Sequence, residues 1–251
     1  MRRSVIASTL FTAALAGLAG CASQSGQDAG SDQAPAVERR GSFTDAPVEQ
    51  QAPLLPSAYF VGDGTTFVGW HCTPRQDVVT ATQGDSLRLW TTHGAEQLPQ
   101  AVVDQGERYQ QGELSAHVVG DRAVIKSGRG RLQCEATARR DSLRRTDKPG
   151  VMFYARGNEP GWHLSLANDV PRIDMSLDYG EREASLPYRV TTLDNEAGRV
   201  ILQSGRADAP FELRIESGAC FDDMAGTPWP AQVTLTVNGQ QLQGCGQGIA
   251  P

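Results

Sequence analysis

The chain has 251 residues, 39% of them hydrophobic, and its 29 acidic and 23 basic side chains leave a net charge of −6. That balance excludes the basic face a nucleic-acid binder needs. An acidic protein instead gains association rate and specificity toward cationic partners.

The first 21 residues, MRRSVIASTLFTAALAGLAGC, place Arg2 and Arg3 before an apolar stretch from Val5 to Leu18. This stretch is long enough for an export leader and shorter than the roughly 20 apolar residues a membrane-spanning helix needs. Leu18-Ala19-Gly20-Cys21 resembles the cleavage box of bacterial lipoproteins. The resemblance implies a signal peptide over 1–20, diacylglycerol on the Cys21 thiol and a third acyl chain on its amine, an anchor that does not detach. Ala22, rather than Asp, resembles the outer-membrane sorting class. Losing Arg2 and Arg3 leaves 21 basic against 29 acidic side chains, a net charge of about −8.

Residues 21–58 are rich in Ser, Gln, Gly, Asp, Ala and Pro, as in SQSGQDAGSDQAPA. Such a segment cannot bury enough surface to offset chain entropy and is read as a disordered tether. From 59 to 138 short β-type runs alternate with turn residues: FVGWHC, DVVTATQ, SLRLWTT, QAVV, ELSAHVV, RAVIKS and RLQCEATA. No helical stripe interrupts them, so this segment is expected to form a small antiparallel barrel or sandwich, closure into a barrel also removing exposed edges. RRDSLRRTDK, at 139–148, is charged and reads as a linker. Residues 149–251 form a second β-rich domain, with Asn238-Gly239 between alternating runs marking a hairpin. The fold class expected is therefore all-β: a small antiparallel barrel or sandwich, then a second β-rich domain.

Four cysteines remain once Cys21 carries lipid. In an exported chain this count implies disulfides, and four cysteines allow three pairings. Cys72 and Cys134 bracket the first β segment and Cys220 and Cys245 lie within the second, so pairing inside each segment is the economical choice. Neither pair has zinc-site spacing. His71, His93, His117 and His163 are scattered, and no metal or other cofactor is expected. The chain has no nucleophile elbow, HExxH, phosphate loop or dinucleotide fingerprint, and it is not read as an enzyme.

The segment QGERYQQGELSAHVVGDRAVIKSGRGRLQCEA resembles the C-terminal half of the membrane-bound inhibitors of C-type lysozyme, the MliC family. Gly106 and Tyr109 match one family element, Gly120, Asp121 and Ala123 a second, and Cys134 the disulfide cysteine partnered by Cys72. The resemblance implies an eight-stranded barrel that binds C-type lysozyme or another muramidase. In that family a serine hydroxyl and a lysine ammonium occupy the enzyme's two catalytic carboxyl groups, which charge-assisted donors do well. Gln105 stands at the serine position and Val119 at the lysine position. Glutamine retains an N–H donor and valine has none, so weak inhibition is predicted, with Arg108 and Arg122 as nearby cations. These residues, Gln105, Gly106, Arg108, Tyr109, Val119 and Arg122, are the candidate partner-binding set.

GNEPGW at 157–162 and CFDDMAGTPWPAQVTLTVNGQQLQGCG at 220–246 resemble an envelope-domain family without established activity. Asp222, Asp223, Met224 and Glu159 would hold a cation only if the fold assembled them; the simpler expectation is that Met224 and Trp162 enter the core while the acids cap a loop. Two other functions fit the sequence. One is a small-molecule or metal-ion binding envelope lipoprotein acting through the C-terminal domain, and the other a structural lipoprotein.

Overall fold

The computed structural model describes residues 54–250. The leader, Cys21 and the tether up to residue 53 lie outside them. The described chain is all-β, and among the described residues no helix is long and apolar enough to cross a membrane.

A short strand, β1 (Phe60–Val61), precedes the first barrel. That barrel comprises β2 (Thr66–Thr73), β3 (Asp77–Gln83), β4 (Ser86–Thr91), β5 (Gly94–Ala101), β6 (Glu107–Gln111), β7 (Leu114–Val119), β8 (Arg122–Ser127) and β9 (Gly130–Asp141). Each strand pairs antiparallel with the next, and β9 closes on β2. Inward residues alternate with outward ones: Trp70, Cys72, Val78, Leu87, Leu89, Leu98, Tyr109 and Ile125 fill the interior. Closure removes the exposed edges that would otherwise template aggregation. Cys72 and Cys134 face each other across the β2–β9 seam and are bonded, with Cα atoms 4.0 Å apart.

The second barrel comprises β10 (Val151–Asn158), β11 (Gly161–Ala167), β12 (Arg172–Leu177), β13 (Arg182–Asp194), β14 (Arg199–Ser204), β15 (Phe211–Phe221), β16 (Pro228–Val237) and β17 (Gln240–Ile249). It closes because β17 pairs with both β16 and β10. Asn238 and Gly239 both have positive φ, 51° and 76°, in the tight turn between β16 and β17, the backbone a type I′ hairpin turn requires. Cys220 and Cys245 are bonded, tying the end of β15 to β17.

Strand limits differ from the sequence expectation at three places. QAVV is not a strand of its own: β5 ends at Ala101, and Val102 is fully exposed in the following loop. β6 has only Tyr109 buried, too little apolar alternation to be seen in sequence. The charged run 139–148 begins inside β9, which continues to Asp141.

Both barrels belong to one compact unit. Phe67, Val79, Ala81 and Trp90 point outward from the first barrel and are nonetheless buried, packed with Val61, Ala219 and Phe221 in an apolar layer of their own. The barrels approach so closely at Gly69 that a Cβ there would sit 2.5 Å from the Phe221 ring. Tyr59, assigned by sequence to the first domain, is fully buried in the core of the second. Its hydroxyl reaches the carbonyls of Gly198 (2.8 Å) and Ile215 (2.9 Å). β1 continues from it as a parallel partner of β17, while the Trp90 indole N–H donates to Ala58 O at 2.9 Å. The segment 57–61 thus joins the two barrels at their seam.

Candidate functional site

One mouth of the first barrel is formed by the β3–β4 turn, the β5–β6 loop and the β7–β8 turn, and it carries most of the residues singled out by sequence. Gly106 ends the β5–β6 loop with φ 71°, a left-handed conformation that favours glycine. A Cβ at Gly106 would fall 2.4 Å from Val118 O and 2.7 Å from Val119 Cγ2. The loop is therefore pressed against the end of β7, and His117 Nε2 lies 2.9 Å from the Gln105 carbonyl, donating to it when protonated there. Gln105 and Val119, 14 positions apart in the chain, share one rim.

Val119 is 51% exposed, and Val102 beside the same loop is fully so. Arg122 faces Val119 across the β7–β8 turn and is exposed. The backbone carbonyl of Asp121 in that turn accepts the Ala136 backbone N–H of β9 at 2.9 Å, which ties the turn to the barrel wall, and the Asp121 carboxylate forms an exposed ion pair with Arg139. Arg108 lies deeper, opposite His117, where its guanidinium donates to Gln110 Oε1 at 2.9 Å.

Tyr109 does not belong to the partner-facing set. It is 2% exposed within the first core, and its hydroxyl donates to Glu107 Oε2 at 2.7 Å. Burial, and next the Glu107 carboxylate, raise its pKa above the usual tyrosine value. The Gly-x-x-Tyr spacing thus records a turn followed by an inward aromatic.

In the second barrel GNEPGW forms the β10–β11 turn, with a cis Glu159-Pro160 bond. Trp162 is buried, as expected, and its indole N–H donates to Gln243 O at 3.3 Å. Asp222 accepts the backbone N–H groups of Met224 (3.0 Å) and Ala225 (2.8 Å) and lies 3.7 Å from Arg156. Burial acts to raise the Asp222 pKa, but these backbone donors, Asn158 and the Arg156 charge outweigh it and hold the carboxyl below its usual value.

Asp222 therefore caps its own loop, whereas Met224 is 77% exposed rather than in the core. Among the described residues no three His, Cys, Asp or Glu side chains approach closely enough to hold a metal ion. The hollow beside Asp222 and the second disulfide encloses only about 210 Å³.

The junction between the barrels contains a residue the sequence reading passed over. Arg140, on the outward face of β9, lies with its guanidinium carbon 3.7 Å from the Trp229 ring centre and 4.7 Å from that of Phe67. It donates to Pro228 O at 3.0 Å and to Gln247 Oε1 at 2.8 Å. Burial pushes its pKa down to about 9, the Asp141 charge opposing the shift. The available signal was apolar residues on both faces of single strands, such as Val78-Val79 and Leu89-Trp90, which implies a second packed surface outside the barrel.

No protein-family model matches this chain, and no curated protein is similar to it.

Proposed function

We propose that this chain is a lipid-anchored envelope protein, held by Cys21 at the outer membrane and facing the periplasm. Its first barrel is a protein-binding module of the C-type lysozyme inhibitor kind, directed at lysozyme or another muramidase. The observation that supports this most is the shared rim: Gln105 and Val119, the two positions singled out by resemblance, lie together at one open end of a closed eight-stranded barrel. Val102, Val119 and Arg122 add exposed apolar surface and a cation to it, a composition suited to an enzyme cleft that holds carboxyl groups. The second barrel supports the module through the buried junction.

Because Val119 supplies no donor, the wild-type protein is expected to inhibit C-type lysozyme weakly. A Gln105→Ser, Val119→Lys double variant restores the hydroxyl and ammonium and is expected to improve the inhibition constant at least about tenfold, the lower end of the roughly 1.5–3 kcal/mol of a charged hydrogen bond. That gain should shrink as salt rises. Measurement against one lysozyme at low and moderate ionic strength decides it, and a double variant no better than wild type removes the rim from the mechanism. For the anchor, Cys21→Ala is expected to shift the protein from the membrane fraction to unprocessed precursor or soluble fractions. Mature-sized, membrane-bound variant protein would rule the anchor out.

A further inference from the structure

The opposite mouth of the first barrel, ringed by the β2–β3, β4–β5, β6–β7 and β8–β9 turns, has a separate character. It opens into a cavity of about 870 Å³, within the roughly 300–1,000 Å³ range of small-molecule sites. Its floor is the exposed end of the barrel interior, with Leu89 and Ile125 from the core and the half-buried Leu114 and Leu132 around them.

The lip is cationic where the β8–β9 hairpin crosses it. Lys126 and Arg131 stand directly opposite each other in that hairpin, with Arg129 in the turn between them, and all three are exposed. Like charges directly opposed across two strands destabilise the pair. Among the described residues none of the three lies within ion-pair distance of a carboxylate. Glu96 and Glu113 also line the cavity, and Glu113 rests over Gly128 in the same turn. Of the three cations Arg129 and Arg131 line the cavity, so an anion held between them would meet two guanidinium groups without a carboxylate partner, above a floor that favours an apolar group. Departures from local pairing rules of this kind concentrate at functional sites.

We propose that this mouth binds a small amphipathic anion, a carboxylate or phosphate monoester carried on a short apolar body. Anion and tail divide between the two surfaces, the head group between Arg129 and Arg131 and the tail on Leu132, Leu114 and the core residues beneath. This site lies at the barrel end away from Gln105 and Val119, so it stands independently of the muramidase reading.

The test is an amide NMR titration of the chain from Ala22 onward, which retains both barrels, with octyl phosphate, octanoate, octanol and inorganic phosphate as separate probes. Saturable shifts are expected at residues 89–94 and 125–132 with octyl phosphate, octanoate or both. Octanol and inorganic phosphate are each expected to bind at least about tenfold more weakly, since each lacks one half of the recognition. An Arg129→Glu, Arg131→Glu variant is expected to lose at least about tenfold in affinity while keeping a folded spectrum, and Val119→Lys at the opposite rim to lose none. The proposal is overturned if no probe gives saturable shifts at this mouth, if octanol or inorganic phosphate binds as tightly as the amphiphiles, or if charge reversal leaves affinity unchanged.

Discussion

Replacing Tyr59 with alanine is expected to lower stability by about 3–5 kcal/mol, the usual cost of deleting a fully buried aromatic ring. Against a total of about 5–15 kcal/mol for a folded domain, this is a large fraction. The ring is fully buried in the second core, in edge contact with Phe153 at a centroid distance of 5.6 Å. Its loss also withdraws the hydroxyl from Gly198 O and Ile215 O. Tyr59→Phe separates the two contributions: it retains the ring, and because Gly198 O still accepts the Ser217 backbone N–H at 2.7 Å, it is expected to cost about 0.5–1.5 kcal/mol, the net worth of an ordinary hydrogen bond. Urea denaturation read from the midpoint at constant slope measures both variants. A Tyr59→Ala midpoint equal to wild type would mean that the segment 57–61 does not dock on the second barrel in solution.

Arg140→Ala is expected to cost a comparable amount, about 3–5 kcal/mol, and also to change the character of unfolding. The desolvated guanidinium stacked on aromatic rings contributes about 2 kcal/mol, and losing it leaves Pro228 O without the donor seen here and reduces the donors to Gln247 Oε1. Arg140→Lys keeps the charge but not the planar fork that stacks on a ring while donating in plane, so only partial recovery is expected. The wild-type barrels share a buried junction and are expected to unfold in one transition. In Arg140→Ala the coupling weakens, and tryptophan fluorescence and far-UV circular dichroism should no longer give coincident transitions. A single coincident transition with an unshifted midpoint would show that the stacked arginine is not what couples the barrels.

The MliC resemblance and the geometry bear on different parts of the candidate site. Gly106 and Tyr109 both have structural duties, one allowing the loop to meet β7 and the other filling the barrel. Gln105, Val119 and Arg122 are instead exposed at the rim. In the C-terminal barrel, Gly157 and Gly244 lie against the Trp162 indole and Asp222 caps a loop. Those motif positions thus support packing around one buried tryptophan and one disulfide-tied strand.

Strand periodicity, the Asn238-Gly239 turn and the division of four cysteines into two local pairs were legible from the chain alone. Each depends on neighbours in sequence or on the alternation of side chains across a strand. β6 was not legible, because a barrel strand whose one buried residue is Tyr109 carries almost no apolar pattern and is held by hydrogen bonds to β5 and β7. Nor was the destination of Tyr59, whose partners lie 139 and 156 positions away, or that of Arg140, a charged residue in a charged run until a second barrel covers it. The amino-acid pattern determined that two β units form and where the disulfides staple them, whereas closure of the second unit rests on β17 pairing with both β16 and β10. Tertiary packing alone decided that they share a core layer, that the Gln105 loop meets the end of β7 at Val119, and that Arg129 and Arg131 border an apolar hollow, because each depends on surfaces brought together only after the barrels close.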